Sequence, residues 1–308
     1  MLMMQRDEGA RVPRLPRRDF LGVLGGLGAG MAGAIAAGGL VNSAGTAAAP
    51  PAPLADANGS VLRRMQRELE ASLASGRTPS WIMVVDTRKC IGCDACSVAC
   101  RAENPTGPGG NFRRVIQREL PLRSGPWAIF KPVNCLQCED PPCARAVPPG
   151  MVRKRPDGIV EFDYTRLRGP YAAAAARACP FNLVRIDDGR TFTESTPSPQ
   201  AYEYRTFVEN GEPFSRRPGA NRLEGVARKC TFCSHLLDVG VLPACVTTCV
   251  GGAMYFGDAG DPGSLVREIT QGRRIFWGHV YVGVMPRVIY FEEPMPDAAH
   301  IDCTVCHY

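Results

Sequence analysis

The sequence carries no nucleophile–base constellation, no phosphate-binding loop and no paired-acid motif, so nothing in it points to bond chemistry performed by the chain itself. Beyond residue 57 it has no stretch of about 18 apolar residues, which leaves a membrane connection to a partner or to an uncleaved N-terminal segment. Aromatic residues are scarce, 7% of 308, while an apolar content of 45% is ordinary and excludes disorder throughout. Against these scarcities stands cysteine, with 14 residues. That is too sparse for a small disulfide scaffold and too many for an ordinary enzyme.

The cysteines are grouped. Cys90, Cys93, Cys96 and Cys100 form one run, and Cys135, Cys138 and Cys143 a second. Cys179 stands alone, Cys230, Cys233, Cys245 and Cys249 form a further group, and Cys303 and Cys306 close the chain. Disulfides do not call for repeated two-residue gaps; soft metal centres do. The run C-x2-C-x2-C-x3-C has bacterial-ferredoxin spacing. Two-residue gaps let one tight loop put three thiolates on three corners of an iron–sulfur cube, with backbone N–H groups aimed at the sulfurs. The fourth cysteine lies further on and serves the other cluster of a pair. Paired C-x2-C motifs also build zinc ribbons, and a structural zinc protein is the alternative at this point.

The first 57 residues read as an address. Arg17-Arg18-Asp19-Phe20-Leu21 precedes a Gly/Ala-rich apolar run to Val41 and a small-residue stretch at 44–57. Together they resemble a twin-arginine export signal, with Ala55-Asp56-Ala57 as a cleavage site; a transmembrane anchor is the other reading. Export of a folded protein suits a chain that receives its metal clusters in the cytoplasm.

Ser60 to Gly76 patterns as an amphipathic helix, capped by Ser60, with Leu62, Met65, Leu69 and Leu73 on one face and Gly76 as the stop. Residues 58–80 thus form an N-terminal helix and linker. Trp81–Val85 is a strand leading into the first cysteine run. Residues 112–120 and 127–133 pair as strands about Ser124-Gly125-Pro126. The polar stretch 189–227, with several Pro and Gly, reads as an insertion between metal-binding halves. Asp261-Pro262 can start a helix through Ile269, and 279–291 alternates as strands broken at Pro286. The domain plan is a multicluster domain over 81–260, an extension over 261–295 and a tail over 296–308.

The stretches DTRKCIGCDACSVACRAEN, CLQCEDPPC, DGIVEFDY, ACPFN and KCTFCSHLLDVGVLPACVTTCVGGAMYFGD carry a resemblance over about residues 80–260. They are similar to the iron–sulfur electron-transfer subunits of the molybdopterin oxidoreductase family. That group holds the beta subunits of dimethyl sulfoxide, tetrathionate, polysulfide and nitrate reductases, and the periplasmic ferredoxin subunits of sulfite-reductase-linked membrane complexes. The resemblance implies an α+β fold of two ferredoxin-like cluster-binding halves with long insertions. It also implies cross-ligation. Cys90, Cys93 and Cys96 would share a [4Fe-4S] cluster with Cys249. Cys230, Cys233 and Cys245 would share a second with Cys100, and Cys135, Cys138 and Cys143 a third with Cys179.

The family usually has a fourth cluster, and here this sequence departs. Its ligand positions correspond to Val147, Gly169, Ala172 and Ala175, none of which can bind iron. Loss of one whole ligand set with the other twelve intact implies three clusters, and Tyr171–Ala178 then reads as an ordinary helix. Since the missing cluster is commonly the one nearest the membrane partner, a standard route to a quinone site is in doubt. A smaller departure is Val250, where the family often has Pro; it reads as local packing around a sulfur.

The formal charge of +6 fits this reading. Residues 1–57 hold five Arg against Asp7, Glu8, Asp19 and Asp56, so the rest carries +5. Three clusters of about −2 each would bring that to roughly −1. Nucleic acid is therefore not an expected partner.

Cys303-Thr-Val-Cys306-His307 matches the covalent haem c signature, two thiols for the vinyl groups and a His for the iron. A tail disulfide or an accessory metal site with His300 is the alternative. Met285, Met295 and His300 are candidates for the second axial ligand. His235 reads as a loop residue adjusting a cluster rather than as a ligand. Arg88, Lys89, Arg228 and Lys229 precede two cysteine groups, either as solvated surface charge or as an offset to a cluster. The expectation is an electron relay in a periplasmic complex or on the outer face of the cytoplasmic membrane. Its partners would be a catalytic subunit, a membrane quinone-reactive subunit or a c-type cytochrome. The alternative is a free-standing multicluster carrier.

Overall fold

The computed structural model of the chain describes residues 57–104, 106–122, 125–190, 206–210, 212–214, 223–271 and 285–291. The chain divides into two units, 1–52 and 53–308, and every described residue belongs to the second. The export segment, most of the 189–227 stretch, the strand expected at 279–284 and the tail with Met295, His300, Cys303, Cys306 and His307 lie outside the described residues.

The described chain mixes helix and strand in an α+β arrangement. It opens with helix α1 (Ala57–Ala74), strand β1 (Trp81–Asp86), a short 3-10 turn over Thr87–Lys89 and helix α2 (Ala95–Glu103). The expected hairpin follows as β2 (Arg113–Leu122) and β3 (Gly125–Asn134), paired in register from Arg113↔Asn134 to Leu122↔Gly125. Next come α3 (Pro142–Arg145), the antiparallel pair β4 (Val152–Lys154) and β5 (Val160–Phe162), and α4 (Gly169–Ala178). Strand β6 (Arg185–Ile186) precedes a small hairpin, β7 (Phe207–Glu209) and β8 (Glu212–Phe214). Strand β9 (Ala227–Arg228) returns to pair with β6. Two short helices, α5 (Ser234–Leu237) and α6 (Ala244–Thr247), lead to β10 (Met254–Asp258), α7 (Leu265–Thr270) and β11 (Val288–Phe291).

Strand β1 is the centre of a three-stranded sheet ordered β10-β1-β11, antiparallel to β10 and parallel to β11. All six of its residues are buried, which suits its run of apolar and β-branched side chains. One core joins this sheet to α1 and to the cysteine loops. Trp81 stacks on Phe256 at 5.6 Å between ring centres, and Phe232 meets Phe256 edge-on at 5.4 Å. The sheet is thereby tied directly to the loop holding Cys230 and Cys233. A second core gathers Cys143, Val147, Met151, Phe162, Tyr164, Leu167, Ala172, Ala175, Leu223 and Val226.

Several details differ from the sequence reading. Helix α1 starts at Ala57, so Ser60 lies inside it rather than capping it. Leu73 is 41% exposed while Ser72 is buried, its hydroxyl 3.5 Å from the Asp258 carboxylate. Asp258 also accepts from Arg77 and the Ser80 N–H, and this polar knot rather than another leucine closes the last turn. Helix α7 begins at Leu265, because Asp261 Oδ1 accepts from the Gly263 N–H and turns the preceding residues. The stretch read as an insertion rejoins the body by Leu223, which is fully buried with Val226 and Ala227. Within it, Glu209 is buried against Arg228 and the Tyr164 hydroxyl. Strand β11 is no appendage: Met83 donates to the Arg287 carbonyl, and Arg287 N–H to that of Leu136.

Candidate metal centres

Helix α2 packs against α6, and β10 follows α6 back to β1, so the last cysteine group lies over the first. A close approach fixes this overlap: a side chain on Gly251 would come within 2.4 Å of the Lys89 carbonyl oxygen. Glycine is required there because backbone meets backbone. Gly92, with φ of +72, turns the chain between Cys90 and Cys93.

None of the twelve described cysteines is in a disulfide; the resemblance would assign them to three quartets, A, B and C. In quartet A, Cys90 feels the charge of Cys93 and Cys249, and Cys96 that of Cys249. In quartet B, Cys100 lies by Cys230, Cys233 and Cys245. In quartet C, Cys138 lies by Cys135, Cys143 and Cys179. Cys96 also feels the charge of Cys245, and Cys230 that of Cys135, which would put B between A and C in a row. All four thiols of B are buried. Cys93 of A is exposed, Cys90 and Cys249 are half-buried, and so are Cys135 and Cys179 of C.

The loops supply donors to sulfur. Phe232 N–H points at Cys230 Sγ at 3.4 Å, Ala253 N–H at Cys249 Sγ at 3.2 Å, and Leu183 N–H at Cys179 Sγ at 3.4 Å. Phe232 and Cys233 both take positive φ to aim this backbone. Burial pushes the thiol of Cys96 up to about 11 and those of Cys143 and Cys230 to about 12, with neighbouring thiols adding to the rise. Four thiolates so close become stable together only around a cationic metal core. Zinc would need its donors about 2.3 Å from one point. Among the described residues, no three His, Cys, Asp or Glu side chains form such a single-ion site. The donor set fits an iron–sulfur cube with thiolates spread over its corners.

Of the four positions corresponding to the fourth ligand set, Gly169 is exposed and the other three are apolar and enclosed. Ala172 and Ala175 are fully buried and Val147 is 9% exposed, all within the second core. Helix α4 carries Gly169, Ala172 and Ala175, as its alanine content predicts.

Cations separate into two kinds. Arg88 and Lys89 are exposed; Arg88 is clamped to Asp86 and Lys89 donates to the Tyr255 hydroxyl at 2.6 Å. Arg228 is buried in an ion network with Asp187 and Glu209. Lys229 is buried without a carboxylate, giving its three N–H groups to the Val160 and Cys230 carbonyls and to Gln137 Oε1. His235 is held by Glu103 at 2.8 Å and joins no quartet. Val250 is 67% exposed. Met285 is exposed, its carbonyl accepting from the N–H of Glu139.

The sequence reading missed Asn104, Asn134 and Arg113. Asn104 Nδ2 lies 3.8 Å from Cys100 Sγ, and Asn134 Nδ2 3.7 Å from Cys230 Sγ. The four-residue spacing from Cys100 to Asn104 on one helix was a usable signal. Arg113 stands at the first position of β2 and is fully buried, and nothing in its local pattern marked it.

The 4Fe-4S dicluster domain family matches residues 127–196 and 198–259. The B subunit of selenate reductase from Mesobacillus selenatarsenatis is 39% identical over 231 residues, 75% of this chain and 78% of that one. The arsenate respiratory reductase iron-sulfur subunit of a Shewanella species is 30% identical over 225 residues, 68% and 95% of the two chains. The B subunit of tetrathionate reductase from Salmonella typhimurium is 34% identical over 197 residues, 63% and 64%.

Proposed function

Because this chain belongs to the iron–sulfur (beta) subunits of the molybdopterin oxidoreductase family, we propose that it relays electrons through three [4Fe-4S] clusters in an exported respiratory reductase complex. It is an iron–sulfur electron-transfer subunit and not the catalyst. The count of three rests on one observation above all. Twelve cysteines fill the three ligand sets that the resemblance implies, while Val147, Ala172 and Ala175 are packed into apolar core.

Bound clusters supply one-electron redox chemistry. The chain's own residues set its frame. Quartets A and C border solvent at the ends of the row and B is sealed in the middle, which is the layout of a relay with an entrance and an exit. The two ferredoxin-like halves correspond, on this reading, to A with B and to C with its closed neighbour. Ile91, Val98 and Val250 are 60%, 65% and 67% exposed beside cysteines of A, an apolar rim suited to a docked protein. The relatives are named as B subunits of reductases, which makes a catalytic subunit the expected partner. A membrane quinone-reactive subunit or a c-type cytochrome is a further expected partner; no described helix is long and apolar enough to cross a membrane.

The twin-arginine segment at 1–57 supports a periplasmic location or one on the outer face of the membrane. Cys303, Cys306 and His307 belong to the same reading as a covalent haem c. A denaturation-resistant haem band, lost in Cys306→Ser, tests that part; its absence from native protein leaves a disulfide or accessory metal site. The relay is tested by native purification. The expected product is a brown complex absorbing near about 400 nm, bleached by dithionite, in which a larger molybdopterin-bearing chain accompanies this one. A brown chain running alone would instead make it a free-standing carrier.

A further inference from the structure

Arg113 begins β2, and β2 packs on helix α2, the helix that carries Cys96 of quartet A and Cys100 of quartet B. Its side chain is fully buried yet has no carboxylate partner among the described residues. Nη2 donates to the thioether sulfur of Met83 at 3.0 Å, and Nη1 has no hydrogen-bond partner among the described residues. An unpaired buried guanidinium is costly and persists only where something offsets it. Here the offset comes from sulfur of both quartets: Cys90 and Cys96 of quartet A, and Cys100, Cys230 and Cys245 of quartet B, all lie within its field. In quartet C the cation that acts on Cys143 is Lys229.

We propose that Arg113 is a positioning charge shared by quartets A and B, which raises the reduction potentials of both bound clusters together and leaves that of C alone. The reasoning is electrostatic. Reduction adds one negative charge to a cluster, and a fixed cation in a dry site favours the more negative state. A cation between two sites lifts both and keeps them level, so that an electron can pass either way between them. Arginine suits the place because its guanidinium stays protonated when buried.

The inference rests on the three-cluster reading, which iron content and the number of reduced-cluster EPR signals test by themselves. With clusters assembled in the full chain, potentiometric EPR of Arg113→Gln should show the reduction equilibria of A and B each falling at least about tenfold, which is 59 mV for a one-electron couple. Cluster C should stay unchanged, and Arg113→Lys should restore most of the loss. Three intact clusters with unchanged potentials, or with equal shifts in all three, overturn the proposal while leaving the three-cluster reading in place. If Arg113→Gln fails to assemble, wild-type protein made with arginine labelled with 15N in the guanidinium decides. Pulsed EPR of the reduced state should then show a nitrogen coupling that Arg113→Lys lacks, and its absence from wild type overturns the proposal.

Discussion

Asn104 donates from its side-chain amide to the sulfur of Cys233 at 3.5 Å, joining the end of helix α2 to a loop far along the chain. The same amide group reaches the Cys100 carbonyl at 3.2 Å, so its orientation is fixed from both sides. It therefore bears on quartet B alone. Donors to sulfur favour the reduced cluster. If about 0.5–1 kcal/mol of this charge-assisted bond differs between oxidation states, Asn104→Ala should lower the potential of cluster B by about 20–40 mV. Redox titration by EPR should find A and C unmoved; a shift spread over all three would mean general loosening instead.

The charge of Cys249 raises the thiols of both Cys90 and Cys96, although they stand far apart in the chain. Cys249→Ser should therefore damage the cluster held by Cys90, Cys93 and Cys96, removing roughly 4 of 12 iron atoms. The cluster of Cys100, Cys230, Cys233 and Cys245 should remain. EPR in which only that second cluster changes contradicts the pairing.

The grouping of the cysteines is legible because sulfur ligands leave spacing in the sequence, and Val147, Gly169, Ala172 and Ala175 stand where the resemblance puts a fourth set. Helix α1, the β2–β3 hairpin and helix α4 were legible from periodicity and composition. The parallel pairing of β11 with β1 was not, since register between distant strands depends on tertiary burial. Nor was the division among cations. Arg88 and Lys229 look alike before a cysteine group, yet one is clamped at the surface and the other buried among carbonyls, a difference decided by which loop the sheet covers.

Without metal, the buried thiols make stability depend on pH. In the fold, Cys96 holds its proton up to about 11 and Cys143 and Cys230 to about 12, against 9.0 for an ordinary thiol. The unfolded chain then gives up protons that the fold retains, so stability is full below about pH 9 and falls as pH rises through about 11–12. Denaturant midpoints of reduced, metal-free protein should drop between about pH 8 and about pH 10.5. Midpoints that stay level contradict the burial of these thiols.

Ala172 is fully buried where a fourth ligand set would otherwise stand. The space is already packed, so Ala172→Leu should cost about 1–3 kcal/mol by overpacking. Thermal melts of the loaded protein should record that loss with iron content unchanged. A leucine accepted at no cost would reveal a void that the apolar packing denies.

The central claim is a chain built for three clusters and closed against a fourth. Iron and acid-labile sulfide, measured per chain on fully loaded wild-type protein and corrected for any haem, test it most directly. About 12 of each is the predicted result, and about 16 of each would contradict the account.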